Sequence, residues 1–460
     1  MKLRTTFFLL AIALGLAALI FLLGRWVQTP RELNERSARL LAVDPNEVRG
    51  FTIHNGEQLI KARNDGDDWK LVAPWDDAAD ISVVDQLLTA AQFLRPDAVI
   101  DDLGSGDAKR DKLRDFGLNK SKLRLKLDGK EMPGEIQFGH ETPVQGKSYI
   151  RIEDEDAVYV VSDELKNIVS KNTDDFRDHR LLPISTTLID RIIIRARGGE
   201  IELVKAQDNW QITRPIKARA SNDAVGTLLT KISQTPIASF VPNDKANSAG
   251  FDNPSKVITL FAGEEEKTEI EIGNGVPSDA QKVFARLPDR NSVTEVDKSF
   301  AELLEIAPND LRDRKNARLN PDLIDRIAIE KSGQPRILLG RTEDHWAFIQ
   351  PDTSPANGNT VNRLIELINQ SPVANFVSDT ATDLARYGLD QPSLKLVFSS
   401  YSSENTAEAN AGETVLSTLV FGKSENGVTY ARLEEEPYIF SVPNDVVATI
   451  PATDLQFRGR

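Results

Sequence analysis

The strongest constraint on this chain is a pattern that occurs three times. Trp69, Trp210 and Trp346 are each followed five residues later by a proline. Fifteen residues after each tryptophan begins an apolar quartet with the spacing i, i+3, i+4 and i+7, which marks one face of a helix. The quartets are Val84-Leu87-Leu88-Ala91, Val225-Leu228-Leu229-Ile232 and Val361-Leu364-Ile365-Ile368. Three gapless matches predict three copies of one structural unit.

The match extends to both sides of the tryptophans. Two short runs of strand-forming residues precede each tryptophan, and a corner containing glycine follows each helix before further strands. The first runs are Val48 to Ile53, Ile189 to Ile194 and Ile324 to Ile329, and the corners are Phe116-Gly117-Leu118, Ala249-Gly250-Phe251 and Tyr387-Gly388-Leu389. Each unit reads β-β-β-α-β-β-β-β-α. This order predicts an α+β fold of three tandem, mainly antiparallel sheet units with helices on one face.

The repeats also set the domain boundaries. The 460 residues are enough for several domains, and the predicted units span 44–183, 184–319 and 320–460. A linker over 29–43 and an N-terminal segment over 1–28 precede them. The expected helix N-caps are Asp80, Ser221 and Asn359. Copy three carries an insertion, Ser399 to Thr414, whose polar composition predicts a solvated loop.

The N-terminal segment has the features of a membrane anchor. Thr5 to Gly24 carries no charge, and twenty helical residues span about 30 Å, the thickness of the bilayer interior. A cleaved signal peptide would have a shorter apolar core of ~7–15 residues and a small-residue cleavage site. We expect an uncleaved transmembrane signal anchor over residues 5–27, with a cytoplasmic tip and the bulk of the chain periplasmic. Ala11 and Gly15, and Ala13 and Ala17, have the small-xxx-small spacing of helix contacts.

Composition removes several function classes. The chain has no cysteine, which excludes disulfides, thiolate metal sites and a cysteine nucleophile. Only four histidines are present, and they are far apart in sequence. The net charge of −14 disfavours binding to nucleic acid. No cofactor or metal ion is expected.

Individual candidate residues have simpler structural interpretations. The three tryptophans are predicted to be core residues rather than a ligand platform, and His345 a turn residue. Gly104-Ser105-Gly106 and Asn274-Gly275 are too short for phosphate loops and open no convincing helix. The acidic clusters are predicted turns rather than calcium or magnesium sites, and they are Asp65-Gly66-Asp67-Asp68, Glu153-Asp154-Glu155-Asp156 and Glu434-Glu435-Glu436.

The end of each unit carries a recurring arginine. Arg177 and Arg312 are expected to pair with acids that flank them at the unit junctions. In the third tail Gln456 is placed at the equivalent position. The flanking acids are Asp175, Asp178, Asp310 and Asp313.

The unit signature resembles a known bacterial family. The signature combines V-x-x-[IF]-x-[IL], Trp-x4-Pro, the V-x-x-L-[LI] helix, the [FY]-G-L corner and the Y-[AI]-R-[IL] strand at Tyr149 and Tyr430. With the N-terminal span, it is similar to a domain-of-unknown-function family of membrane-anchored repeat proteins encoded beside gliding-motility-type ABC-2 transporters. The resemblance implies association with ABC-type transporter subunits at the inner membrane. It provides no catalytic residues.

Two classes of function stay open. The first is a non-catalytic accessory or scaffold subunit, because three units in series offer extended surface for partners. The alternative is a cell-envelope enzyme, a carboxylate-based hydrolase acting on glycan or peptide. A deep pocket lined by acids in one unit alone would favour the enzyme, and three equivalent units poor in pockets would favour the scaffold. No catalytic, cofactor-binding or metal-binding residue is assigned.

Overall fold

A computed structural model describes residues 39–458, with gaps at 42, 67, 243–245, 247, 265, 291, 343–344 and 402–411. The predicted anchor over 5–27 and its small-xxx-small residues lie outside the described residues. In the part of the chain that is described, no helix is both long and apolar enough to cross a membrane.

The described chain contains three sheets, and all of their strand pairs are antiparallel. The first has the order β4-β3-β2-β1-β6-β7-β8-β9-β5. Its strands are β1 (Val48–Asn55), β2 (Gln58–Asn64), β3 (Trp69–Ala73), β4 (Asp77–Ala78), β5 (Ala98–Ile100), β6 (Leu123–Gly129), β7 (Ile136–Glu141), β8 (Lys147–Ile152) and β9 (Val158–Ser162). The helices of this repeat are α1 (Ile81–Gln92), α2 (Asp107–Asp115) and α3 (Glu164–Val169).

The second sheet repeats this order as β13-β12-β11-β10-β15-β16-β17-β18-β14. Its strands are β10 (Arg191–Ala196), β11 (Gly199–Ala206), β12 (Asn209–Arg214), β13 (Ala218–Arg219), β14 (Ser239–Val241), β15 (Lys256–Ala262), β16 (Glu266–Val276), β17 (Asp279–Arg286) and β18 (Val293–Asp297). The helices are α4 (Asn222–Gln234), α5 (Lys298–Leu303) and α6 (Pro308–Leu311).

The third sheet has eight strands in the order β21-β20-β19-β23-β24-β25-β26-β22. Pro355 forms only an isolated bridge to Ala347 where the other sheets have a short edge strand, because proline has no N–H for a ladder. The strands are β19 (Arg326–Lys331), β20 (Ile337–Thr342), β21 (His345–Gln350), β22 (Asn375–Ser378), β23 (Leu394–Tyr401), β24 (Glu413–Glu425), β25 (Val428–Leu433) and β26 (Ile439–Pro443). The helices are α7 (Gly358–Gln370), α8 (Asn444–Thr449) and α9 (Asp454–Phe457).

The α+β class, the antiparallel sheets and the three repeat units are confirmed. The strand pattern missed the short edge strands, such as β4 and β5, because two or three residues leave no periodic signal. Single-turn 3-10 helices occur at Pro45–Glu47, Thr173–Phe176, Pro321–Leu323 and Leu384–Tyr387. The ends of the predicted loop insertion belong to β23 and β24, and its centre lies outside the described residues.

The long helices begin where polar caps satisfy their first N–H groups. The side chains of Asp80 and Ser221 accept these bonds at α1 and α4, as predicted. At α7 the cap is Asn357, which accepts from the N–H groups of Asn359 and Thr360. The prediction of Asn359 was therefore wrong, because this residue is already inside the first turn.

The tail of each repeat pairs with the residue just before the long helix. Isolated bridges join Ala79 to Arg177, Ala220 to Arg312 and Ala356 to Arg458. Arg458 therefore occupies the repeated arginine position, and the placement of Gln456 there was wrong by two residues. Gln456 instead takes the capping position that Asp175 and Asp310 hold in the other copies.

The three tryptophans lie at one position, as predicted. Each is buried at the start of its strand, with 6–8% of its surface exposed. Each pairs with the last or next-to-last residue of the preceding strand, Asn64, Lys205 or Arg341. The peptide bond before each proline at +5 is cis.

The main core of each repeat begins before the sequence repeat does. Leu41 and Val43, from the predicted linker, are fully buried in the first core. Leu181 and Leu182 take part in the second core, and Ala317 and Leu319 in the third. The described residues form two compact units: the first runs to His179 and includes residues 289–292, and the second comprises residues 180–288 and those from Val293 onward.

A smaller core lies on the opposite face of each sheet, beside the glycine corner. In the first repeat Leu113 of α2 packs there with Val158 and Tyr149. The expectation of helices on one face only was therefore wrong for α2. Gly106 of the Gly104-Ser105-Gly106 segment is the N-cap of this helix, contrary to the expectation that no helix begins there.

The repeated glycines are explained by a close approach of two backbone segments. The N–H of Asn274, next to Gly273, donates to the carbonyl oxygen of Ala249 at 2.7 Å. A Cβ at Gly273 would lie 2.0 Å from that oxygen. The equivalent glycines, Gly139 and Gly422, approach the corner carbonyls equally closely, at 2.1 and 2.2 Å.

The glycine corner gives a test with a control on the same strand. We expect Gly273→Ala to destabilise the protein by about 1–3 kcal/mol, since the new methyl forces two backbone segments apart. Gly275→Ala should change stability little, because nothing lies within 4 Å of its Cβ position. Urea unfolding followed by tryptophan fluorescence compares the two variants, and equal losses would contradict this explanation.

The tryptophan position gives a second test. Trp210→Ala should lower the free energy of unfolding by about 3–5 kcal/mol, as large aromatic truncations in cores do. Trp75, of which 37% is exposed, is the control, and its replacement by alanine should cost about 1 kcal/mol or less. Chemical denaturation measures both, and a small effect at Trp210 would refute its role in the core.

Candidate functional site

The main core covers one side of each sheet. On the other side, the first three strands and the strand that pairs with the first present a second face, which we call the open face. It consists of the side chains that alternate with the buried ones on β1, β2, β3 and β6, and on the equivalent strands of the other repeats. Strand register aligns the three open faces residue by residue. The central position of the first strand is Thr52, Ile193 or Ala328.

The residues on both sides of this central position differ completely between repeats. Thr52 lies between Lys61 and Lys126 in the first sheet. In the second sheet Ile193 lies between Glu202 and Thr259. In the third sheet Ala328 lies between Leu338 and Val397. The same position of the fold is therefore basic in one copy, acidic in the next and apolar in the last.

The acids of the second open face are neutralised by arginines of the same face. Arg191 reaches Glu202 at 2.5 Å, and Arg214 bonds Glu200 at 2.5 Å. Burial alone would raise the pKa of Glu202, but hydrogen bonds from Thr213 and Arg191 outweigh it and leave the pKa below its ordinary value. On this face the glutamates and arginines therefore pair with one another.

The centre of the third open face is apolar, with Arg326 and Glu330 at the ends of the same strand. Leu338 and Val397 flank Ala328, and Ile349 of β21 is 41% exposed. A Cβ at Gly340 would meet Ile349 at 2.7 Å, so the absent side chain makes room for the isoleucine. Its centre offers apolar area to a partner.

A cavity of about 630 Å³ lies in the second repeat, at the end of β10 and beside α5 and α6. Its volume falls in the range of small-molecule sites. Apolar side chains such as Ile194 and Leu304 line it, and Lys256 and Glu305 form an ion pair of 2.7 Å at its wall.

The cavity acids are ionised rather than poised to donate a proton. A hydrogen bond from Lys256 lowers the pKa of Glu305, and one from Arg195 lowers that of Glu200. A glycosidase-type mechanism needs one carboxyl group with a raised pKa. The cavity is therefore large enough for a substrate, but Glu200 and Glu305 do not supply the carboxyl group of raised pKa that this mechanism needs.

Buried arginines make a polar cluster where the second and third repeats join, inside the second compact unit. Arg219 donates to the backbone oxygen of Lys315 at 2.6 Å and to the Tyr438 hydroxyl at 3.4 Å. Its guanidinium also lies 3.6 Å from Glu436 and 3.9 Å from Asp313. Burial is the main cause that raises the pKa of Glu436.

Arg312 belongs to the same junction. Its guanidinium lies 3.6 Å from the ring centre of Phe376 and 4.6 Å from that of Tyr438. Its ion partner is Asp379, at 2.6 Å. The expected pairing with the flanking acids was wrong, since Asp310 caps α6 and Asp313 bonds Arg318.

In the first compact unit, Arg177 bonds Asp77 at 2.8 Å and Asp174 at 3.2 Å. Arg290 bonds the other oxygen of Asp77 at 2.7 Å. Burial would raise the pKa of Asp77, but the hydrogen bonds from Arg290 and Arg177 hold it below its usual range. Asp77 and Arg177 are buried in this cluster, and its role is structural.

The remaining sequence candidates lie apart from these features. Within the described residues no group of three or more His, Asp or Glu side chains could hold a metal ion. The acidic clusters lie in turns, of which Glu153 to Asp156 joins β8 and β9. Asn274 and Gly275 belong to β16, and His345 is the exposed first residue of β21.

The sequence interpretation missed the open faces. A signal was present: the second strand of each copy has Lys61 and Arg63, Glu200 and Glu202, or Leu338 on its outer positions. The alternation is the same, and only the chemistry of the outer residues changes. Recognising this requires the strand register, which the sequence did not show.

The family model described as a domain of unknown function (DUF4340) matches three overlapping segments of the chain, residues 69–254, 210–354 and 346–459. Each segment begins at one of the three repeated tryptophans. Together they cover most of the chain, and the protein belongs to this family. No curated protein and no solved structure matches it.

The raised pKa of Glu436 predicts how stability changes with pH. A carboxyl whose pKa is higher in the folded than in the unfolded state costs stability once it ionises. As the pH rises from below the ordinary value of 4.5 through the raised one, the wild type should lose stability relative to Glu436→Gln. Urea unfolding at pH 4 and pH 7.5 measures this difference, and a wild type that gains on the variant would contradict it.

Proposed function

We propose that this protein is a non-catalytic accessory or scaffold subunit of an ABC-type transport complex. It would be held in the bacterial inner membrane by residues 5–27, with its three repeats in the periplasm. The uncharged run from Thr5 to Gly24 supports the anchor. The resemblance to repeat proteins encoded beside gliding-motility-type transporters supports the type of partner.

The main observation behind a scaffold role is the divergence of the three open faces. Copies of one fold conserve the main core that each needs for stability, whereas a position outside that core is free to change. At one such position the copies carry Lys61, Glu202 and Leu338. Faces of one fold whose centres are basic, ion-paired and apolar suit contacts with different partners.

Energy for transport would come from another subunit. Gly-Lys-Ser occurs twice, beginning at Gly146 and Gly422, but the glycine that a phosphate-binding loop needs five residues upstream is Glu141 or Ser417. Lys147 and Gly422 also belong to strands β8 and β24 and do not open a helix. The chain would couple to an ATPase only through contacts, made by its anchor or by its repeats.

The envelope enzyme is the second candidate, and the cavity of the second repeat is the observation that favours it. A cavity with acids in its wall fits part of the expectation for an enzyme, but a second cavity of about 510 Å³, lined in part by Asp322 and Glu366, lies in the third repeat. The ionised state of Glu200 and Glu305 speaks against carboxylate acid–base chemistry there. The scaffold is therefore the better supported function.

Isolation of the full chain from native membranes tests this proposal. With a C-terminal tag and mild detergent, we expect a transporter membrane component to copurify and to crosslink through single cysteines placed on the open faces. The natural chain, which has no cysteine, is the matched background control. N-terminal sequencing of the purified chain should find residues 5–27 retained. A chain recovered alone, before and after crosslinking, would refute the accessory role.

A further inference from the structure

We propose that the open face of the first sheet docks on the anionic phospholipid headgroups of the membrane that holds the chain. This inference rests on the proposed anchor. It assigns a binding surface and a ligand chemistry to the first repeat, independently of any transporter partner.

The first reason is the concentration of positive charge on this face. Strand register places Lys61 and Lys126 on either side of Thr52, Arg124 opposite His54, and Arg63 opposite Lys70. The acid on these outer positions is Asp128, opposite Gly50. This face is therefore basic although the whole chain carries a net charge of −14.

The second reason is that much of this charge is not neutralised by the protein. Among the described residues, Lys61, Lys70 and Lys126 have no carboxylate oxygen within 4.0 Å, and all three side chains are exposed. Arg63 and Arg124 do pair, with Asp65 and Glu135. The equivalent residue of the second repeat, Glu202, is paired with Arg191 and Arg214, so neighbouring positions of this fold can supply a partner for a charge here.

The third reason is geometry. Side chains two residues apart on a strand are about 7 Å apart, and neighbouring strands are about 4.8 Å apart. The lysines therefore form a grid across four strands rather than a groove, and a grid suits a planar array of phosphates better than one peptide. Each basic group near an anionic membrane strengthens binding about fivefold.

The fourth reason is the tether. The predicted anchor ends at residue 27, and the described chain begins at residue 39. Eleven intervening residues reach at most about 40 Å even when fully extended. The first repeat would thus be held at high effective concentration near the bilayer.

The test uses the full chain in nanodiscs. Because the chain has no cysteine, Val72→Cys, at the edge of this face, gives one labelling site for a donor dye. Nanodiscs of phosphatidylcholine alone, or with phosphatidylglycerol added, carry an acceptor on the lipid headgroup. Energy transfer should be higher in the phosphatidylglycerol discs and should fall at high salt, where exposed charges are screened.

Two charge-matched variants identify the surface. Lys61→Gln/Lys126→Gln should abolish the gain in transfer caused by phosphatidylglycerol. Lys267→Gln/Lys298→Gln removes two exposed charges from the second compact unit and should leave the gain unchanged. Equal transfer in both lipids, or equal effects of the two double variants, would overturn the proposal.

Failure of the anchor has a different signature. A chain that is not retained in nanodiscs during gel filtration refutes the proposed span. In that case cosedimentation with vesicles of the two compositions tests whether the open face of the first sheet binds anionic lipid. Binding to phosphatidylglycerol vesicles alone, lost in Lys61→Gln/Lys126→Gln, would support it, and binding to neither composition would overturn it.

Discussion

The apolar stripe of the helix that follows each tryptophan packs against one face of its sheet. In the second repeat Val225, Leu228, Leu229 and Ile232 are all buried there, together with Trp210. This packing fixes which side of every strand faces inward, since a shift of one residue would turn every side chain over. It also fixes which side is left without a main core. The glycine corner and α2 cover only the far strands of that second side, and the open faces are what remains.

Much of this arrangement could be predicted from the sequence, because a pattern repeated three times removes most of the ambiguity of a single one. The tryptophan position, the helix stripe and two of the three caps were predicted from spacing alone. The errors occurred where spacing carries no signal. Asn357 and Asn359 are both good caps, and only the backbone at the start of α7 distinguishes them. Arg458 and Gln456 could be aligned only through the bridge between Ala356 and Arg458.

The candidate sites were harder to predict for a physical reason. Residues that recur in all copies are mostly structural, as the repeated glycines of the corners and the arginines of the tails show. Residues that distinguish the copies lie on neighbouring strands far apart in sequence, such as Lys61 and Lys126. Their proximity depends on pairing through β1. A search for motifs along the chain cannot find a surface that is built across four strands.

The burial of Leu181 and Leu182 in the second core has a consequence for the ancestry of the chain. The unit boundaries read from the sequence lie a few residues after the boundaries of the folded cores. The core of the second repeat already uses residues that the sequence pattern assigns to the end of the first. A segment duplicated at the sequence boundaries would have lacked part of its hydrophobic interior until a preceding copy supplied it. The duplication that produced a stable array therefore either began upstream of the visible motif or added its new copy directly to an existing one.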